Sequence, residues 1–339
     1  MSPARPTAEF SYELPEGAIA QQAIEPRDAA RLLDADTLAD HRFADLPGLL
    51  GADDLVVVNR TRVRRARLLG RKDTGGKVEA LLLNPLGDGR WEALVRPARR
   101  LRPGTALDFG GVRAVVTEGP AAGRAVLAIE ADDPEAAIEA HGSMPLPPYF
   151  RGGLDDDSRY QTVYAEQVGS AAAPTAGLHF TEAVLAGLDI RGIRRVSVDL
   201  EIGLDTFRPI SSDTIEEHRM HTERYRVGPE VVAAVDETRD RGGEVVAIGT
   251  TVVRALESAA RPGGRLQEAE AATDLYLTPG DRFHVVDRLI TNYHVPGSTL
   301  VVLVAAFMGP RWREAYRIAL ERGYRFLSFG DAMIVRRAV

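Results

Sequence analysis

The chain contains no cysteine, which removes disulfides, thiolate metal sites and cysteine nucleophiles from consideration. Lysine is nearly absent as well: Lys72 and Lys77 are the only two among 42 basic side chains, and the rest are arginine. Arginine suits bidentate phosphate binding, but an arginine-rich codon bias would give the same composition. There is no excess of positive charge either. The net charge is −7, which argues against a wholesale cationic surface for nucleic acid. No run of 18 apolar residues occurs, so no membrane-spanning helix is expected. The opening Met1-Ser-Pro-Ala-Arg-Pro6 lacks the apolar core of a signal peptide, and a cytoplasmic protein is the expectation. Internal repeats and low-complexity segments are missing too. What remains is 339 residues, 45% of them hydrophobic, enough for one large domain or two moderate ones.

One stretch is poor material for a core: Ser170-Ala-Ala-Ala-Pro-Thr-Ala-Gly-Leu-His-Phe-Thr-Glu182. Pro174 fixes its own φ and biases Ala173 towards an extended conformation. Gly177 allows the backbone to approach a ligand closely or to take a positive φ. Thr181 with Glu182 fits the opening of a helix. Small residues leading into a helix start leave room for a ligand and aim backbone N–H groups at it. A tight loop around a buried, satisfied His179 is the other reading of the same residues.

Residues 9–33 read as an irregular arm feeding a strand, in which Arg27, Asp28 and Arg31 form either an anion site or a local ion pair. Leu55-Val-Val-Val58 is a continuous apolar run, the pattern of a buried strand, and it ends at the polar cluster Asn59-Arg-Thr-Arg-Val63. Sites in α/β sheets gather at such strand ends. From residue 64 to 148 the texture changes. Short β-rich runs at 66–69, 78–83, 91–95, 112–117 and 125–129 are separated by glycine, proline and asparagine turns. That spacing predicts a small antiparallel barrel or sandwich. The expected fold is therefore mixed α/β: a larger α/β domain of residues 1–63 and 149–339 with a β-barrel domain, 64–148, inserted in it. Asp133-Pro134 opens a short helix through His141, and Met144-Pro-Leu-Pro-Pro-Tyr-Phe150 is a stiff connector back.

The second half alternates. A strand is expected at 196–200, and Asp213 with Glu216 gives a capping-box-like start for a helix carrying His218 and His221. No third ligand accompanies that pair at a suggestive spacing, so no metal is expected. Pro229 and Gly242-Gly243 frame a helix. The strand 244–248 runs into Gly249-Thr250-Thr251 and a helix bearing Arg254, which reads as an anion cradle or as an ordinary turn with Arg254 in a structural ion pair. Residues 273–277, 283–286 and 289–290 are expected to continue the sheet. Thr291-Asn-Tyr-His294 is a second histidine-bearing strand end, Pro296-Gly-Ser298 caps an apolar helix at 299–308, and 313–321 is amphipathic.

Taken together, ten ordered segments resemble the S-adenosylmethionine:tRNA ribosyltransferase-isomerase family of queuosine biosynthesis across nearly the whole chain. They are Phe10-Ser-Tyr-Glu-Leu-Pro15, Glu25-Pro-Arg-Asp28, Thr61-Arg-Val63 with Ala66-Arg-Leu68, Met144-Pro-Leu-Pro-Pro-Tyr149, Arg159-Tyr-Gln-Thr-Val-Tyr164, Ala172-Ala-Pro-Thr-Ala-Gly-Leu-His-Phe-Thr181, Gly249-Thr-Thr-Val-Val-Arg254, Thr273-Asp-Leu275 with Pro279-Gly280, Thr291-Asn-Tyr-His-Val-Pro-Gly-Ser-Thr-Leu300 and Phe329-Gly-Asp-Ala-Met333. The resemblance implies an enzyme using S-adenosyl-L-methionine as co-substrate, without a metal. Its partner would be a tRNA carrying 7-aminomethyl-7-deazaguanine at the wobble position, with no membrane. Nothing in the sequence signals an oligomeric state. The resemblance points to His179, His294, Thr175 and Asn292 as catalytic. It points to Arg62, Arg159, Tyr160, Gly177, Phe180, Thr250, Thr251, Arg254, Asp274 and Asp331 as substrate-binding.

Three positions depart from the family's usual pattern: Arg60, Glu201 and Asp205 stand where an acid, a histidine and a glycine are usual. Two other readings fit the same chain, a relative that cleaves S-adenosylmethionine with another acceptor and a non-catalytic nucleoside- or RNA-binding protein. The presence of His179, Arg254 and His294 favours an enzyme. Thr175, His179, Thr250, Arg254, Asn292 and His294 are expected to converge on one cleft, with Arg254 clamping the methionine carboxylate. Arg60 is expected to pair with Asp205 or Glu201 at its rim, because an unpaired buried charge is heavily penalised.

Overall fold

The structure, a computed structural model, describes residues 4–121, 123–203, 209–261 and 263–338. The chain divides into two compact units, Met1–Arg62 with Pro148–Val339, and Val63–Pro147. The larger is built on a nine-stranded mixed sheet. Its order is Ala269–Thr273, Glu223–Val227, Arg194–Leu200, Leu55–Asn59, Val245–Ile248, Arg288–Asn292, Ala332–Arg336, Arg31–Asp34, Ala39–Arg42. The four strands from Arg194–Leu200 to Arg288–Asn292 run parallel, and antiparallel neighbours flank them on both sides.

The continuous apolar run of Leu55–Asn59 follows from this position. Leu55 and Val57 pack into one hydrophobic cluster and Val56 and Val58 into another, so both faces of the strand are covered. Val245–Ile248 alternates in the same way. The helix Thr299–Met308 is buried nearly all round and belongs to the first cluster, as its unbroken apolar sequence requires.

The smaller unit is a closed antiparallel barrel of six strands: Arg67–Lys72, Lys77–Gly87, Arg90–Arg96, Arg124–Glu130, Arg113–Ala121 and Ala106–Asp108. Inward positions such as Leu68, Leu82, Trp91, Val116 and Leu127 form its core, and buried residues alternate with outward ones along the strands. Helix Pro134–His141 starts where expected, with the Asp133 carboxylate accepting from the Ala136 N–H at 3.0 Å.

Two expected elements do not form. The helix expected from Asp213 is a three-residue turn, Ile215–Glu217, and the backbone is already extended at His218. Glu216 is engaged by the Arg5 guanidinium at 2.9 Å and the Arg5 N–H at 3.0 Å instead of completing a capping box. Residues 283–286 do not join the sheet either. The fully buried Glu257 carboxylate takes the N–H groups of His284, Val285 and Val286 at 2.7, 3.0 and 3.0 Å, replacing a strand partner. The strand expected at 273–277 lies earlier, at Ala269–Thr273.

Candidate active site

The parallel strands end at Leu200, Asn59, Ile248 and Asn292, and a cleft of the larger unit opens beside those ends. This is where open α/β sheets bind ligands. The cleft contains about 570 Å³ of empty space, its mouth included, and Thr175, Thr250, Thr251, Asn292 and His294 all line it. Tyr149, Thr291, Tyr293, Ser298 and Ser328 complete its polar lining.

Each side chain is held by a local device. Strand Val245–Ile248 turns into helix Thr250–Ala260 through Gly249, whose φ of 91° and ψ of 156° are accessible essentially only to glycine. No side chain caps that helix: the Val252 N–H turns back on the Gly249 carbonyl at 3.2 Å, and Thr250 and Thr251, ahead of it, line the cleft. Pro174 precedes a single 3₁₀ turn, Thr175–His179, closed by the Gly177 N–H on the Pro174 carbonyl at 2.8 Å. That turn brings Thr175 to the end of strand Arg288–Asn292.

A hydrogen-bonded relay then fixes three of the predicted residues. The Thr175 hydroxyl donates to Asn292 Oδ1 at 2.9 Å. The Asn292 amide donates to His179 Nε2 at 3.2 Å and to the Asp331 carbonyl at 3.3 Å. His179 also has a backbone hydrogen bond with Arg27, so the imidazole is engaged on both sides. Burial first, then the nearby Arg325 guanidinium, pushes its pKa down to about 3. His179 therefore orients Asn292 from behind the cleft and does not line it. His294 does line it, with Nε2 on Thr291 Oγ1 at 2.8 Å, and burial pushes its pKa down to about 3 as well. Its Nδ1 makes no hydrogen bond to a described residue.

Other predicted site residues have structural duties. Arg254 is closed into a buried ion pair with Glu223 and also reaches the carbonyls of Leu275 and Thr273. It does not line the cleft, so the expected clamp on the methionine carboxylate is corrected to a structural pair. Burial favours a neutral Glu223, but Arg254, His221 and the Gly203 N–H together hold its pKa below the ordinary carboxylate value. Gly177 is required by the protein itself, since a Cβ there would stand 2.1 Å from the Tyr164 hydroxyl. Phe180 and Tyr160 are fully buried, Phe180 packed on Phe43 and Tyr164 and Tyr160 on Phe329. Asp331 accepts the N–H groups of Arg31 and Arg325 at 2.9 and 2.8 Å, and only its carbonyl reaches the relay. Arg159 lines a small pocket with Arg27 and His179 and pairs with Glu25 at 2.6 Å. Arg62 and Asp274 are exposed and line neither that pocket nor the cleft at the strand ends.

Arg60 pairs differently from expectation. The parallel register sets Val198 abreast of Asn59, so Arg60 meets Asp199 on the next strand at 2.9 and 3.3 Å, with Glu166 at 3.3 Å. That pairing replaces the expected one with Glu201, and Asp205 lies outside the described residues. Asp199 and Glu201 line a second, more polar cleft with Thr61, Arg224 and Glu270. Among the described residues no cluster of three or more histidine or acidic side chains could hold a metal ion.

The family model for queuosine biosynthesis proteins matches residues 7–335. The chain belongs to that family. Proteins of this queuosine biosynthesis family at 50% identity include one from Anaeromyxobacter sp. (strain Fw109-5), aligned over 98% of this chain and 99% of its own length. Another, from Gloeobacter violaceus, covers 97% and 95%. Both are named S-adenosylmethionine:tRNA ribosyltransferase-isomerase. A crystal structure of S-adenosylmethionine tRNA ribosyltransferase from Thermotoga maritima is similar at 36% identity and a TM-score of 0.55, over 96% of this chain and 99% of that one. Sequence reasoning missed Tyr149, Ser298 and Ser328 as cleft residues. Tyr149 was legible only as part of a proline-rich connector, whereas its hydroxyl meets Ser328 Oγ at 2.5 Å at the cleft wall.

Proposed function

We propose that this chain transfers the ribosyl group of S-adenosylmethionine to 7-aminomethyl-7-deazaguanine at the wobble position of a tRNA. The ribose is isomerised to the epoxycyclopentane of epoxyqueuosine, and adenine and methionine leave. Membership of the queuosine biosynthesis family supports the reaction. The observation that carries the assignment of the site is the uncapped helix start at Gly249-Thr250-Thr251 facing the Thr175–Asn292 relay and His294 across one cleft. No described helix is long and apolar enough to cross a membrane, and we place the reaction in the cytoplasm.

In this reading the methionine carboxylate meets the N–H groups and hydroxyls of Thr250 and Thr251, because a helix N-terminus stabilises an anion. Thr175 spends its proton on Asn292, so its oxygen faces the cleft as an acceptor. The sulfonium acidifies the adjacent ribosyl carbon, and adenine departs more easily when a donor holds a ring nitrogen. His294 serves as that donor rather than as a proton store. An imidazole with a pKa of about 3 is neutral at pH 7, and protonating it there costs roughly 5 kcal/mol.

Incubation with S-adenosylmethionine and the modified tRNA, followed by chromatography of free adenine, tests the reading. Adenine release that requires the tRNA is expected. Release at the same rate without tRNA would point to a different acceptor, and no release under either condition to a binding protein.

A further inference from the structure

Most arginines in the described residues end on a carboxylate: Arg5, Arg60, Arg67, Arg194, Arg254 and Arg311 are examples spread along the chain. In the barrel unit, where Arg71 ends on the Gly75 carbonyl instead, one segment concentrates arginines without such a partner. Between Glu92 and Asp108 the sequence has no acid and four arginines, Arg96, Arg99, Arg100 and Arg102. All four are exposed, and none makes an ion pair with a described residue. Arg96 stands across from Glu79, but Glu79 is taken by Arg67 at 2.9 Å. This is a local cationic surface on a chain whose net charge is −7.

The segment is also held in place. Leu101 is fully buried in the barrel core, between the turn Ala98–Arg100 and Pro103. The Arg102 N–H donates to Thr105 Oγ1 at 3.1 Å, the Thr105 N–H returns to the Arg102 carbonyl at 3.0 Å, and the Gly104 N–H meets the Val116 carbonyl at 2.8 Å. A tethered loop presents its guanidinium groups with less entropy to lose than a free tail would have. Guanidinium matches phosphate bidentately, and unpaired exposed cations gain most from a polyanion whose counterions they release. The only large apolar side chain of the turn, Leu101, points into the core, so the loop offers nothing to insert into a lipid surface.

We propose that the loop carrying Arg96, Arg99, Arg100 and Arg102 binds RNA backbone phosphates of the tRNA substrate. The proposal rests on the reading of tRNA as substrate, and it adds a second contact surface, one that reads charge and not sequence. A variant with all four arginines changed to glutamine, and a second with all four changed to lysine, test it on the full-length protein. Dissociation constants for the modified tRNA are measured across salt concentrations, with S-adenosylmethionine affinity as a control.

The glutamine variant is expected to bind tRNA roughly 10- to 100-fold more weakly near 0.15 M salt, with a log–log salt slope shallower by about two to four. The lysine variant is expected to keep most of the slope, and both are expected to bind S-adenosylmethionine as the wild type does. Unchanged tRNA affinity and slope in the glutamine variant, with a tRNA-dependent wild type, would overturn the loop assignment alone. A wild type that neither binds tRNA nor needs it for adenine release would overturn both this assignment and the functional reading. Loss of binding to phosphatidylglycerol vesicles with tRNA binding intact would reassign the loop to a membrane surface and overturn the proposal.

Discussion

Arg254 illustrates how residue-scale chemistry separates a place in a motif from a binding role. It stands one turn into a helix whose start faces the cleft, yet its guanidinium is buried against Glu223. Arg254→Ala would leave that carboxylate buried without its guanidinium, held by His221 at 2.9 Å and the Gly203 N–H at 3.0 Å, so unfolding free energy should fall by up to about 3–5 kcal/mol. S-adenosylmethionine affinity, measured by calorimetry on protein that remains folded, should change little. A large loss of affinity with little loss of stability would restore the clamp role. The two buried histidines make a pH prediction. Both are held at about 3 in the folded state, below the ordinary 6.5. The unfolded chain therefore binds more protons between those values, and stability falls as pH drops from 6.5 towards 3. Urea unfolding at pH 7 and pH 5 should show lower stability at pH 5, with His179→Gln and His294→Gln each flattening the difference. Because neither imidazole titrates near neutrality, the turnover profile should show no inflection from them between pH 5 and 8.

At the scale of elements, strand and helix periodicity was legible wherever packing alone decided it. The apolar run 55–58, the helix 299–308 and the capped helix 134–141 all form. Sequence reading failed where a distant side chain took over the backbone. Glu257 captures residues 284–286, and Arg5 captures Glu216, and neither partner is local in sequence. The candidate site follows the same division. Thr175, Thr250, Thr251, Asn292 and His294 sit at strand and helix ends, where position alone predicts exposure to a ligand. Arg254, Gly177 and Asp331 carry the same motif signature but serve the fold, and only their partners reveal it. The Gly249 turn is the element on which the cleft depends most. A Cβ there would meet nothing closer than 3.7 Å, so the cost of Gly249→Ala is conformational, about 1–3 kcal/mol. That substitution should also turn the helix start away from the ligand and weaken S-adenosylmethionine binding in calorimetry. Unchanged affinity would argue that the helix start does not hold the ligand.

For the whole molecule, a mixed α/β sheet unit and a closed antiparallel barrel accompany membership of the queuosine biosynthesis family. The change of texture near residue 64 was visible because barrel strands are short and punctuated by turns, while the buried parallel strands are continuous and apolar. The pairing of Arg60 was not visible, since strand register is set by packing and not by nearby sequence. The central claim is that the ribosyl group, and not the methyl group, of S-adenosylmethionine reaches the tRNA. Two parallel incubations with the modified tRNA decide it, one with carbon label in the ribosyl group and one with label in the methyl group, each followed by digestion and mass spectrometry of the nucleosides. The account predicts ribosyl label in the modified wobble nucleoside and none from the methyl group. Methyl label in the tRNA, or unlabelled tRNA in both incubations, would contradict it.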